Sequence, residues 1–175
     1  FRFMSLSIGQ CATLACLLEV NAPKPGNVHR GADFEDATLN DFAASAVAVG
    51  KVLNDAPGMG LGEVVLQCVQ ATQQVCSTNT NLGTILLLAP LAAVQREKDL
   101  RSGVARVLDS LSSGNAAQVY EAIRMANPGG LGEVETMDVG NSAPSSLIDA
   151  MSAAAPRDLV AAEYASGFAV TFDDV

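Results

Sequence analysis

The residues most able to do chemistry are gathered in one stretch, Pro23-Lys24-Pro25-Gly26-Asn27-Val28-His29-Arg30-Gly31-Ala32-Asp33-Phe34-Glu35-Asp36, which also holds the single histidine of the chain. Each proline fixes its own φ and pushes the residue before it out of the helical region. Lys24 therefore sits on stiff, extended backbone between Pro23 and Pro25, unlike a lysine on a mobile helix surface. Gly26 and Gly31 permit turns or a close backbone approach. A stiff loop that offers cations and then carboxylates suits a metal–polyphosphate ligand. The same composition also suits a solvated loop between helices, because loops carry polar residues by default.

Two further stretches have the same character. Ser77-Thr78-Asn79-Thr80-Asn81-Leu82-Gly83-Thr84 sets a run of hydroxyl and amide side chains just ahead of a very apolar segment. A helix N-terminus presents free N–H groups and positive dipole, so it can hold an anion. Simple capping by Asn79, Thr80 or Asn81 would need only one of them, and the run has a surplus. Asn127 to Asp138 then places Gly129, Gly130 and Gly132 ahead of Glu133, Glu135 and Asp138. If Gly132 onward is helical, Glu135 and Asp138 share a face at i,i+3. Acids packed this closely repel unless a cation intervenes, and oxygen-only ligands suit Mg²⁺. An acidic, solvated helix start is the plainer reading, favoured by the dipole.

The rest of the chain must position these stretches. Its 175 residues fit one domain with a real core, and 49% hydrophobic against 17% charged residues argue for a globular chain. A formal net charge of −9 disfavours nucleic acid, which needs a basic face, but not a nucleotide bridged by Mg²⁺. Cys11, Cys16, Cys68 and Cys76 form no C-x-x-C pair and lie in apolar, helical-looking segments. They read as buried free thiols of a reducing, cytoplasmic compartment. The longest apolar run, Ile85 to Val94, is too short to span a bilayer, and no signal peptide is visible. The first residue is Phe1 and the end at Val175 falls in a structured-looking context, so the chain reads as a fragment of a longer domain, lacking a C-terminal part.

The periodicity is helical almost throughout, which predicts an all-α, multi-helix globular bundle with functional loops between helices. Ser5 or Ser7 opens a first helix, with Ser7 and Gln10 in a capping-box pattern, and Glu19 ends it beside the first loop. Glu19 is poorly placed against the helix dipole, so a role in holding Lys24 or a metal is one reading. Thr38 with Asp41 starts a second helix, broken at Asn54-Asp55-Ala56-Pro57-Gly58. A third runs from near Leu61 to about Cys76, and a central core helix from Ile85 to Gln95. Glu97 or Asp99 caps a basic helix, Asn115 and Gln118 start another, and a short helix follows Ser146. A last helix runs from about Asp158 to Ser166 with Gly167 as C-cap, and Ala169 to Phe172 is the one segment that reads as extended.

The order and content of three motifs resemble the triphosphoribosyl-dephospho-CoA synthase family. They are E-V-N-A-P-K-P-G-N-V-H-R-G-A-D-F-E-D at 19–36, N-T-N-L-G at 79–83 and G-L-G-E-V-E-T-M-D at 130–138. The resemblance implies an all-α enzyme that transfers the triphosphoribosyl group of ATP to dephospho-CoA and releases adenine, with Mg²⁺. It implies phosphate contacts from Lys24 and Arg30, with Gly26 and Gly83 allowing close approach, and nucleotide contacts from Asn79 and Asn81. Glu19, Asp33, Glu35, Asp36, Glu135 and Asp138 would hold Mg²⁺ or act at the ribose. Glu133 or Asp36 would be the catalytic base that deprotonates the acceptor hydroxyl, while a carboxylate steadies the oxocarbenium-like ribose.

This chain departs from the synthase pattern at Asp33-Phe34-Glu35-Asp36, where the family has histidine and arginine ahead of the acid. It departs again at Asn81-Leu82, where the family has histidine–lysine. It looks like a divergent branch. The alternative is a non-catalytic or differently specific Mg-nucleotide-binding helical protein in another cofactor pathway, such as methanopterin-linked one-carbon metabolism. The expected partners are ATP and a CoA-like or other small-molecule acceptor, without nucleic acid or membrane, and with a homodimer left open.

Overall fold

A computed structural model describes residues 5–22, 37–95, 98–129 and 137–174. Among the described residues every regular element is a helix, as the periodicity requires. In chain order these are α1 Ile8–Asn21, α2 Leu39–Asn54, α3 Leu61–Gln73, α4 Leu82–Ala92 and α5 Leu100–Asp109. They continue as α6 Ser113–Ala126, α7 Leu147–Ala154, α8 Leu159–Ser166 and α9 Ala169–Asp173.

Side-chain caps set most helix starts. Ser7 Oγ accepts from Gln10 N at 3.2 Å while Gln10 Oε1 accepts from Ser7 N at 2.9 Å. Thr38 and Asp41 repeat the reciprocal pair at α2, and those bonds hold the Asp41 carboxyl below its ordinary pKa. Asp99 and Asp158 cap α5 and α8. α6 begins before Asn115, because Ser112 is its cap and Asn115 its capping-box partner.

α4 lies at the centre, touching α1, α2, α3, α5 and α8. Pro90 lies inside it and has no N–H to give the Leu86 carbonyl one turn back. Tyr164 on α8 supplies the missing donor: its fully buried hydroxyl reaches Leu86 O at 2.8 Å. Burial pushes the Tyr164 phenol well above its usual pKa, so it stays a donor.

α1 and α2 meet at a glycine seam. A Cβ on Gly9 would stand 2.2 Å from the Gly50 carbonyl oxygen. Thr13 Oγ1 then donates to Ala46 O across the same seam at 3.2 Å.

Several expectations are corrected. Ala169 to Phe172 is helical, because Gly167 and Phe168 turn through the left-handed region and bury Phe168 beside Tyr164. Cys11 is exposed, on the face of α1 turned from the core, whereas Cys16, Cys68 and Cys76 are buried. Burial, then the Glu19 charge, raises the Cys16 thiol to about 11; burial, then Cys16, raises Cys68 to about 12. α3 ends at Gln73 rather than Cys76, and α4 starts at Leu82 rather than Ile85.

Candidate functional site

The Asn79–Gly83 segment divides its polar groups between two tasks. Asn79 Oδ1 accepts from Leu82 N at 3.2 Å and caps α4. Asn81 holds the N-cap position, but its side chain makes no cap bond. It is buried instead, and its Nδ2 donates to Ser45 Oγ on α2. Thr80 Oγ1 donates to the same Ser45 oxygen at 2.8 Å, and Ser45 spends its own hydrogen on Phe42 O at 3.1 Å. The surplus of polar residues therefore ties the segment to α2 as well as starting a helix.

Two clefts adjoin this segment, and Asn79, Leu82 and Gly129 line both. The first, about 410 Å³, is bounded by Ala37 and Phe42 from the start of α2, by Thr72, Thr78 and Asn81, and by Asn127. No charged side chain lines it among the described residues. Thr72 Oγ1 and Thr78 Oγ1 are buried there without a hydrogen-bond partner. Unsatisfied buried hydroxyls are uncommon and point to a missing partner.

The second cleft, about 600 Å³, is walled by aliphatic side chains of α4, α7 and α8, with Asp138, Arg157 and Asp158 as its charged groups among the described residues. Gly83 lines it, and among the described residues a Cβ at Gly83 would meet only Val160 Cγ2, at an ordinary 3.8 Å. One face of α6 fixes its lip. Tyr120 Oη donates to Met137 O at 2.8 Å, and Arg124 Nη1 donates to Val139 O at 2.9 Å and Asn141 O at 3.3 Å. Burial, then the Asp138 charge, raises the Tyr120 pKa and keeps that donor protonated. Met137 is held at φ +55°, a strained region for a non-glycine residue.

The structure thus brings Asn79, Asn81, Gly83 and Asp138 to adjoining clefts, with Asp138 Oδ1 accepting from Gly140 N at 2.7 Å. Glu19 sits in the last turn of α1 and lines neither cleft. Lys24, Gly26, Arg30, Asp33, Glu35, Asp36, Glu133 and Glu135 lie outside the described residues. Among the described residues no cluster of three or more potential metal ligands occurs. No helix among them is long and apolar enough to cross a membrane. Sequence reasoning missed Ser45, Tyr120, Arg124 and Arg157. Only Ser45 left a signal, a polar residue beside Ala46 on the apolar stripe of α2.

These features define a class: an all-α protein with two clefts at the segments between its helices. The chain belongs to the ATP:dephospho-CoA triphosphoribosyl transferase (CitG) family, which it matches over residues 5–175. It is accordingly an enzyme that transfers the triphosphoribosyl group of ATP to dephospho-CoA. No match is found among curated proteins or among solved structures.

Proposed function

We propose that the transfer takes place across the two clefts that flank Asn79–Gly83. One observation carries this reading: the second motif, the last residue of the third and the described residues next to the first and third line these clefts. Ala37 follows the first motif, Asn79 and Asn81 belong to the second, and Gly129 and Asp138 bracket the third; all of them line one cleft or the other. The smaller cleft, lined among the described residues by uncharged side chains, suits the uncharged part of a nucleotide. The larger cleft, apolar with a charged rim, suits a long acceptor with an apolar arm.

In this reading Lys24 and Arg30 bind phosphate oxygens, and Asp33, Glu35, Asp36, Glu135 and Asp138 hold Mg²⁺, with Glu19 a more distant candidate. An all-carboxylate donor set fits a hard cation that takes oxygen ligands. The bound ion would neutralise triphosphate charge. Glu133 or Asp36 takes the proton from the attacking hydroxyl as that oxygen bonds to the anomeric carbon and the bond to adenine breaks. Asn79, as the cap of α4, holds a helix N-terminus at the cleft where its dipole favours developing negative charge.

The test is to incubate the protein with Mg-ATP and dephospho-CoA and chromatograph for free adenine. Adenine should appear only with both substrates and the metal, and EDTA should stop it. Folded protein that releases none would overturn the reading.

A further inference from the structure

The hydrogen-bond arithmetic around Ser45 carries one step more, and it rests on the site reading above. A serine hydroxyl has one hydrogen and two acceptor lone pairs. Ser45 is fully buried, gives its hydrogen to Phe42 O, and accepts from Thr80 Oγ1 and Asn81 Nδ2. All three capacities are filled. With its hydrogen committed, Ser45 can only accept from Asn81, so the amide nitrogen must face it. The opposite amide orientation would set two acceptors against each other in a buried place, which is costly.

That choice has a consequence at the cleft. Asn81 is 3% exposed and lines the smaller cleft, and its Oδ1 is left as the end turned away from Ser45. No donor among the described residues reaches that oxygen. Thr72, 5% exposed and on the same wall, has its own hydroxyl oxygen without a partner. We infer that Ser45 is a positioning residue that locks the Asn81 carboxamide with its carbonyl oxygen toward the smaller cleft, so that the cleft selects a hydrogen-bond donor of an adenosine group. The donor is the exocyclic amine of the base or a ribose hydroxyl. Both substrates of the family reaction carry adenosine, so either could supply it.

Equilibrium titration with one substrate at a time tests this, since no transfer occurs without the second. The ligands are Mg-ATP, the triphosphate of purine riboside, 2′-deoxy-ATP and dephospho-CoA; the proteins are wild type, Ser45→Ala and Ser45→Cys. Wild type should lose about tenfold in affinity when the matched donor is removed, and in Ser45→Ala that penalty should shrink below about threefold, because the carboxamide is free to turn. Ser45→Cys keeps the size but offers only a weak acceptor, so it should behave like Ser45→Ala, and it provides the measurement if the alanine variant does not fold. If both ATP analogues bind wild type as ATP does, but Ser45→Ala weakens dephospho-CoA about tenfold, the adenosine of the acceptor is the occupant and the inference stands. It is overturned if the analogues carry no penalty and dephospho-CoA binding is unmoved, or if the penalty persists undiminished in both variants. Wild type that binds neither ATP nor dephospho-CoA would instead overturn the site reading beneath it, and this inference with it.

Discussion

Glycine does opposite things at two places on this helical framework. At the α1–α2 seam the space a side chain would take is already full: a Cβ on Gly9 would lie 2.2 Å from a backbone oxygen of Gly50, and one on Gly50 2.0 Å from Thr13 Oγ1. At the start of α4, Gly83 faces the larger cleft, where among the described residues a Cβ would touch only Val160, at 3.8 Å. Helix packing requires the first pair. Packing among the described residues gives no reason for Gly83. A missing side chain can serve the protein's own closure or leave room for a ligand, and the surrounding atoms tell which.

That contrast can be broken by substitution. Gly9→Ala should have the largest effect, because a backbone carbonyl cannot move aside. Overpacking there should cost about 3 kcal/mol and lower Tm by about 6–12 °C in a chain of this size. Adenine release per folded molecule should be unchanged. A Tm equal to wild type would mean the seam is looser than described.

Tyr164→Phe should cost about 2 kcal/mol, since Pro90 cannot replace the donor lost from the buried Leu86 carbonyl. Denaturant melts would show this as a lower midpoint. Gly83→Ala sharpens the comparison from the other side. Stability should rise, by up to about 1 kcal/mol from helix propensity, while KM for a substrate rises. Unaltered kinetics would remove Gly83 from the ligand surface.

The smallest effects concern the thiols. Cys11 should react with iodoacetamide well before Cys16 or Cys68, which are buried and have raised pKa values. Both shifts make the folded chain keep protons that the unfolded chain releases. Their contribution is therefore constant below the ordinary thiol value of 9.0 and is lost as pH rises from there toward 11 and 12. Chemical denaturation at a series of alkaline pH values would reveal the decline, and replacing Cys68 with alanine should flatten it.

Most of the fold was legible because it rests on local signals. Ser7–Gln10 and Thr38–Asp41 announce their helix starts within four residues, and Gly167 announces its stop. Ala169–Phe172 was misread because its helix depends on Phe168 being buried beside Tyr164, a contact that β-favouring residue types do not reveal. Cys11 was misread because α1 is apolar on nearly every side, so periodicity could not say which side faces the core.

The site was legible only in outline. The polar surplus at Asn79–Asn81 was visible, but its division between capping and Ser45 depends on where α2 lies. Tyr120 and Arg124 resemble ordinary surface residues of α6 until the 137–141 backbone is placed against them. Arg157 carries no motif of its own, and only the packing of α7 and α8 brings it to a cleft.

The central claim is that the segment between the two clefts belongs to the transfer site. Adenine release by Asn81→Leu, measured beside wild type with Mg-ATP and dephospho-CoA, tests it most directly. The variant keeps the branched outline of the side chain and loses the carboxamide. The account predicts release from wild type and a rate lower by about tenfold or more in the folded variant, as expected for a lost buried hydrogen-bonding group. A folded Asn81→Leu protein that releases adenine at the wild-type rate would contradict it.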